Sequence, residues 1–192
     1  MPFTFHTTKF ADAQLIVPQI FGDERGFFLE TYRYDNFAQA GITNTWIQDN
    51  HSKSNKGILR WLHIQTQHTQ AKLVRVTQGM VYDVIVDARL SSPTYGQRQW
   101  FELSWENQHM LYIPKWFLHG FINLVDGTEF LYKCDDIYDP SHESGVMWDD
   151  QILAIDWGKY LDWYNISQPL LWSKDQKNLD WKTFNQTYSH LR

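Results

Sequence analysis

The chain has one cysteine, Cys134, in 192 residues. A single thiol cannot form an intrachain disulfide, so a reducing compartment is the simpler expectation. The N-terminal stretch MPFTFHTTKFADAQ has no apolar core of signal-peptide length, and no apolar run elsewhere is long enough to span a bilayer. We therefore expect a cytoplasmic protein that makes no membrane contact.

Positive charge is also scarce. The 17 Lys and Arg residues are outnumbered by 22 Asp and Glu, which gives a formal net charge of −5. A general nucleic-acid binder normally carries a basic face, so this balance argues against a nucleic-acid partner. It does not exclude a small anionic ligand, because a few local cations are enough to bind one.

The sequence has no internal repeat, no low-complexity segment and no linker that would divide it, so we expect 1–192 to be a single domain. Short apolar runs bounded by turn residues dominate, and 10 Trp, 10 Tyr and 12 Phe suit a β-rich core. The pattern predicts an all-β barrel or sandwich with core strands at about 45–140, N-terminal strands within 1–45 and an irregular, Trp-rich segment at 141–192. One early helix, YDNFAQA, is predicted to end at Gly41.

Most of the candidate chemistry lies in residues 48–72, QDNHSKSNKGILRWLHIQTQHTQAK. This stretch places Arg60, His63 and Lys72 beside apolar residues, where such groups are costly unless a ligand or a reaction uses them. Solvated residues on a sheet edge are the alternative explanation. Strand alternation puts His63 opposite Leu62 and leaves Arg60 on the wrong face for the same pocket, unless a bulge or a strand end intervenes.

The spacing of several glycines and histidines resembles the two cupin motifs. The matching positions are Gly57, His63, Gly79, Pro114, His119 and Asn123. The resemblance implies a cupin-like double-stranded β-helix, which is a jelly-roll barrel, with a few short peripheral helices. Trp116 stands where the second motif has glycine.

The metal ligands of a cupin are mostly missing. Gln65 stands where the first motif has its second histidine, and Lys72 stands where it has glutamate. An ammonium group offers only donors and repels a divalent ion, and His63 and His119 alone make a poor metal site. We therefore expect no metal and no other cofactor, although a metal cupin stays an alternative. A cation in place of the carboxylate favours an anion or a developing oxyanion in the site.

Several separated segments resemble the dTDP-4-dehydrorhamnose 3,5-epimerase family. In chain order they are GDERGFFLE, IQDNHSKSNKGILR, LHIQ, AKLVRVTQGMVYDVIVDAR, SPTYG, HGF, EFLYK and SKD. The resemblance runs from about Val17 to Asp175. It implies that dTDP-4-dehydro-6-deoxy-D-glucose, a dTDP-linked 4-keto-6-deoxyhexose, is epimerised at C3 and C5 to dTDP-4-dehydro-L-rhamnose. A proton next to the ketone would leave from one face and return on the other, without a cofactor.

The resemblance implies four catalytic residues. His63 would be the base, since an imidazole titrates near neutral pH, and Asp175 would hold its tautomer. Tyr132 would return a proton on the opposite face, and Lys72 would stabilise the enolate oxygen. Without the resemblance, a tyrosine of the barrel core with a hydrogen-bonded hydroxyl is the alternative explanation for Tyr132.

The resemblance also implies the substrate contacts and the assembly. The contacts are Arg25, Glu30, Gln48, Asp49, Asn50, Arg60, His119, Tyr138, Glu143 and Lys174. Among them, Arg25, Arg60 and Lys174 would bind the diphosphate and Tyr138 would stack on thymine. In the family, the segment with Arg25 and Glu30 enters the partner's site, which implies a homodimer with shared active sites.

Two residues depart from the family pattern. Trp61 and Trp116 stand where it has glycine, at positions where the backbone can take a positive φ or approach another strand closely. Trp61 is two residues before His63, so on a regular strand it lies on the same face, which predicts that its ring faces the ligand or the base. Three outcomes stay open: epimerisation at both carbons, epimerisation at C3 or C5 alone, and a catalytically silent sugar-nucleotide binder.

Overall fold

The computed structural model of the protein describes residues 2–171 and 178–189. The strands there are β1 (Phe3–Thr7), β2 (Gln14–Pro18), β3 (Phe21–Asp23), β4 (Gly26–Phe28), β5 (Gln48–Ser54), β6 (Ile58–Gln65), β7 (Lys72–Gln78), β8 (Met80–Asp87), β9 (Arg98–Ser104), β10 (Met110–Ile113), β11 (Phe117–Asn123), β12 (Thr128–Cys134), β13 (Glu143–Val146) and β14 (Leu170–Leu171). The helices are α1 (Tyr34–Gln39), α2 (Gly158–Trp163) and α3 (Trp181–Tyr188), and a single 3-10 turn covers Pro140–His142.

Two large antiparallel sheets form the barrel. The first has the order β1-β2-β10-β7-β12-β5, and the second has the order β13-β6-β11-β8-β9, with β14 added in parallel beside β6. Neighbouring strands such as β5 and β12 come from distant parts of the chain. This arrangement is the jelly-roll barrel that the sequence patterns implied.

Apolar side chains fill the space between the sheets because alternate residues of each strand point inward. Val74 and Val76 on β7 face Val81 and Ile85 on β8, and the same cluster includes Phe130 of β12. The first helix, α1, packs outside the first sheet, where it buries Phe37. Its predicted end is confirmed, since Gly41 follows with a φ of +88°.

The outer face of the second sheet is covered by the C-terminal part of the chain. Tyr82 and Val84 of β8 point to this side, where they join a second cluster with Trp157, Trp181 and Phe184. We call this group the outer cluster. Strand β8 is therefore buried on both faces, which agrees with its nearly continuous apolar sequence. None of the helices in the described ranges is long and apolar enough to cross a bilayer.

Candidate active site

A cavity of about 320 Å³ opens between the two sheets. Strands β5, β7 and β12 line it from the first sheet, and β6, β11 and β13 line it from the second. Nine residues predicted from the sequence line this cavity: His63, Lys72, Tyr132, Gln48, Asn50, Arg60, His119, Tyr138 and Glu143. The fold thus collects side chains from six strands and one loop into a single pocket.

A bulge in β6 brings Arg60 and His63 to the same side of the strand. His63 lies opposite His119 on β11, and Arg60 lies opposite Phe121, so three steps along β6 match two steps along β11. Without the extra residue, alternation would place the two side chains on opposite faces. The bulge anticipated from the sequence is therefore confirmed.

The Arg60 guanidinium borders the cavity, and one of its N–H donors has no partner in the described part of the chain. Its Nη2 donates to Ser54 Oγ at 3.3 Å, and its Cζ lies 5.9 Å from the centre of the Phe121 ring. Its Nε is buried and has no hydrogen-bond partner within residues 2–171 and 178–189. A buried donor on a charged, planar group suits a ligand anion such as a phosphate.

Lys72 begins β7 and lies opposite Cys134 of β12. Burial lowers the pKa of its ammonium group, while Cys134, Asp83 and Glu143 act in the opposite direction. Cys134 is itself fully buried, and burial raises the pKa of its thiol to about 11. Because a low dielectric strengthens the attraction between an ammonium and a nearby oxyanion, Lys72 is suited to stabilise an enolate.

Tyr132 reaches the cavity from the sheet opposite to that of His63. It shares its face of β12 with Phe130, whose ring centre lies 6.0 Å away, because residues two apart on a strand point to the same side. Burial raises the pKa of the Tyr132 phenol, so the group keeps its proton at neutral pH. A protonated phenol on the sheet facing an imidazole can serve as an acid opposite a base.

His119 forms a buried pair with Asp83, which sequence reasoning missed. Asp83 of β8 is 0% exposed, and its Oδ2 lies 2.8 Å from His119 Nε2. Burial lowers the pKa of His119, helped by Lys72 and His63 and opposed by Asp83. The neutral ring therefore donates its Nε2–H to the carboxylate. The burial of Asp83 could have been predicted, because in this apolar strand it lies on the same face as the core residues Val81 and Ile85.

Hydrogen bonds from side chains hold the Tyr138 loop against the cavity. The Tyr138 N–H donates to Gln48 Oε1 at 2.9 Å, and its hydroxyl donates to Glu143 Oε2 at 3.0 Å. Gln65 Nε2 donates to the Ile137 carbonyl at 3.0 Å. The Tyr138 ring is 46% exposed and offers a flat face at the edge of the cavity. Gln65, at the position of the second cupin histidine, thus supports the loop.

Metal-ligating side chains are spread apart in the described part of the chain. No group of three or more His, Cys, Asp or Glu side chains there comes together in a way that could hold a metal ion. The cavity instead combines two basic side chains with two histidines and two tyrosines. Such a set suits an anionic ligand and proton transfer.

Comparison with known proteins decides the family. The sequence profile of dTDP-4-dehydrorhamnose 3,5-epimerase matches residues 7–183. The chain belongs to this family. Its enzymes are isomerases, and the jelly-roll barrel and the clustered cavity residues agree with that class.

Two relatives and one crystal structure illustrate the similarity. The dTDP-4-dehydrorhamnose 3,5-epimerase of Salmonella typhimurium is 47% identical over 152 residues, which are 78% of this chain and 83% of that protein. The enzyme of that name from Neisseria gonorrhoeae is 44% identical over 174 residues, or 91% of this chain, but the match spans only 51% of its length. The crystal structure of RmlC from Legionella pneumophila in complex with dTDP-4-keto-L-rhamnose has a TM-score of 0.89 and 41% identity, and the match covers 97% of this chain and 96% of that one.

The two tryptophans that replace the family's glycines pack on the outer side of the second sheet. Although Trp61 borders the cavity, its ring is 3% exposed and belongs to the outer cluster. The bulge turns it away from the side of His63, so the prediction that it faces the ligand or the base was wrong. Trp116 is partly buried against the same cluster, and its φ of +67° confirms the left-handed conformation expected at a glycine position.

Asp49 is not brought to the cavity. On β5 it alternates with Gln48 and Asn50, which face inward, so its carboxylate faces outward and accepts from Lys133 Nζ at 2.9 Å. The motif that suggested Asp49 as a ligand contact is continuous in sequence, but a strand presents only every second residue to one pocket.

The predicted contacts Arg25 and Glu30 also lie away from this cavity. Arg25 occupies the turn between β3 and β4, where it pairs with Asp23, and its side chain is 84% exposed. Glu30 follows the same hairpin, and its Oε2 is buried without a hydrogen-bond partner in the described ranges. Lys174 and Asp175 lie outside the described residues, so their roles stay predictions.

Proposed function

We propose that the protein converts dTDP-4-dehydro-6-deoxy-D-glucose into dTDP-4-dehydro-L-rhamnose by inverting C3 and C5. One observation carries this proposal: His63 and Tyr132 enter the same cavity from opposing sheets. Inversion by proton transfer requires a base on one side of a carbon and an acid on the other. Membership of the epimerase family supports the choice of substrate.

The reaction would proceed through an enolate. Neutral His63 removes the proton from the carbon next to the C4 ketone, the electron pair of the C–H bond forms a C=C bond to C4, and the carbonyl π pair moves onto the ketone oxygen. The Lys72 ammonium stabilises the resulting negative charge. Tyr132 then gives its proton to the same carbon from the opposite face, which leaves an imidazolium and a phenolate. Proton exchange with water restores both groups before the second carbon reacts.

Other cavity residues would bind the nucleotide. Arg60 has the unpaired donor that a diphosphate oxygen needs, and a planar guanidinium can form two parallel bonds to it. The exposed ring of Tyr138 would stack on thymine. His119 and Glu143 line the same cavity and would contact the remaining polar groups of the substrate. These assignments follow the family pattern and are supported by the shared cavity.

A homodimer with shared sites is the second part of the proposal. The β3–β4 hairpin pairs with no other strand in the described part of the chain, and it exposes Phe21 (51%), Phe27 (45%) and Phe28 (65%). Exposed aromatic groups of this kind mark interaction surfaces. If the hairpin packs on a second copy, Arg25 and Glu30 can reach the partner's cavity. The cytoplasmic location expected from the sequence stays a prediction.

Isotope exchange tests the proposed activity. The substrate dTDP-4-keto-6-deoxyglucose is incubated with the protein in D2O, and NMR follows deuterium at C3 and C5. We expect label at both carbons, abolished by His63→Asn. His51→Asn is the matched control, because His51 is exposed on β5 and pairs with Glu129. It should exchange like the native protein.

The same experiment separates the competing functions. Label at a single carbon would replace the proposal with a C3-only or C5-only epimerase. Binding of dTDP without any label would favour a silent sugar-nucleotide binder and refute catalysis. The positions of Trp61 and Trp116 give no support to that outcome, since Trp61 packs in the outer cluster and Trp116 does not line the cavity.

A further inference from the structure

The bulge of β6 depends on a residue of β11 that has no side chain. A Cβ on Gly120 would lie 2.7 Å from the carbonyl carbon of Trp61 and 2.8 Å from the carbonyl oxygens of Arg60 and Trp61. The two backbones therefore touch directly at this point. Gly120 leaves room for the bulge but cannot anchor it, because glycine offers no side chain that could pack.

The ring of Trp61 is the anchored part of the bulge. It is 3% exposed and packs in the outer cluster, which includes Leu153, Trp157 and Ile166 of the C-terminal segment. Its Nε1 is buried and has no hydrogen-bond partner within the residues that the structure describes. The ring therefore acts through packing alone, and a buried aromatic side chain removes about 150–250 Å² from water.

We propose that Trp61 is a positioning residue: its packing in the outer cluster fixes the bulge, and the bulge sets where Arg60 and His63 stand in the cavity. Arg60 precedes Trp61 directly and His63 follows two residues later, so a shift of the bulge moves both. This inference rests on the proposed function, in which Arg60 binds the diphosphate and His63 is the base. Misplacement of a reacting group by about 1 Å can slow a reaction on the order of 100-fold.

A matched pair of substitutions separates positioning from general stability. Trp61→Ala and Trp157→Ala each remove an indole from the outer cluster, but Trp157 lies outside the barrel strands. The exchange kcat and KM in D2O and the Kd for dTDP are measured at a temperature at which both variants are folded. For Trp61→Ala we expect exchange to slow by about 10- to 100-fold and dTDP binding to weaken. Trp157→Ala should stay within about twofold of the native protein on both measures, although its Tm also falls.

The second comparison uses substitutions that keep a bulky apolar side chain at position 61. Trp61→Phe keeps a buried aromatic ring and loses two carbon atoms together with the Nε1–H, which has no partner in the described ranges, so exchange and dTDP binding should fall much less than in Trp61→Ala. If Trp61→Ala does not fold, Trp61→Leu, which keeps a buried apolar group, takes its place and should still slow exchange. Equal losses in the Trp61 and Trp157 variants would overturn the inference. If the native protein itself shows no exchange, the proposed function fails, which is a separate result.

Discussion

The buried carboxylate of Asp83 offers the sharpest test of the electrostatics of the cavity. It accepts the Nε2–H of His119 at 2.8 Å and is 0% exposed. Asp83→Ala would leave that neutral donor buried and unpaired at a cost of about 1–3 kcal/mol, a sizeable share of the roughly 5–15 kcal/mol that stabilises a typical protein. Asp83→Asn is the better perturbation, because the amide keeps the shape and can still accept the bond.

The loss of charge alone should lower stability modestly. A hydrogen bond to a charged group contributes about 1.5–3 kcal/mol and a neutral one about 0.5–1.5 kcal/mol. The free energy of unfolding of Asp83→Asn should therefore fall by about 1 kcal/mol. For a chain of this size, that corresponds to a decrease in Tm of about 2–4 °C. Thermal unfolding followed by circular dichroism measures it.

The same substitution should change the pH dependence of the reaction. Burial lowers the pKa of Lys72, and Cys134, Asp83 and Glu143 oppose that shift. In the proposed mechanism Lys72 would stabilise the enolate only as an ammonium, so the exchange rate should fall as the pH rises through its pKa. Without the charge of Asp83, the pKa of Lys72 drops further. The alkaline limb of the kcat profile should therefore move to lower pH.

Asp87→Asn is the matched control for this experiment. Asp87 is a second fully buried carboxylate on β8, but it binds Arg89, Ser92 and Thr94 away from the cavity. We expect Asp87→Asn to lower Tm and to leave the alkaline limb where it is in the native protein. If Asp83→Asn also leaves the limb unchanged, Asp83 does not support the charge of Lys72 and the reasoning is wrong.

Three further predictions concern the bulge, the diphosphate and the hairpin. Gly120→Ala places a methyl group against the backbone of β6 and should cost about 1–3 kcal/mol of stability, measured by denaturant unfolding; an unchanged midpoint would contradict the close contact. Arg60→Ala should weaken dTDP binding roughly 10- to 100-fold in calorimetry, and native affinity would exclude Arg60 from the diphosphate site. Phe28→Ser removes an exposed aromatic group and should shift the protein toward monomers in sedimentation equilibrium, unless the hairpin is not at the interface.

Local patterns predicted most of the barrel, and the family motifs predicted most of the residues that line the cavity. They misplaced Trp61 because its orientation depends on a register shift against β11. That shift needs the space left by Gly120, a residue far away in sequence. The need for a bulge could be deduced from Arg60 and His63, but its consequence for the residue between them could not.

Two other differences have simpler causes. Asp49 was included because it stands inside a continuous motif, although alternation along β5 already separates it from Gln48 and Asn50. The apolar strand around Asp83 predicts a buried carboxylate, but it does not show which residue pairs with that carboxylate. A carboxylate on the core-facing side of such a strand needs a buried partner, and His119 is that partner.

The single thiol of the chain can report on the strands that carry the site, because Cys134 lies between two cavity residues in the first sheet. Cys134 is cross-strand partner to both Gln48 and Lys72, so a reagent that reaches its sulfur must first separate strands that carry the site. Its burial and its pKa of about 11 keep alkylation of the closed protein slow. The labelling rate therefore measures local opening of β12 against the two flanking strands. Its dependence on dTDP concentration would show how strongly ligand binding holds these strands together, without any introduced probe.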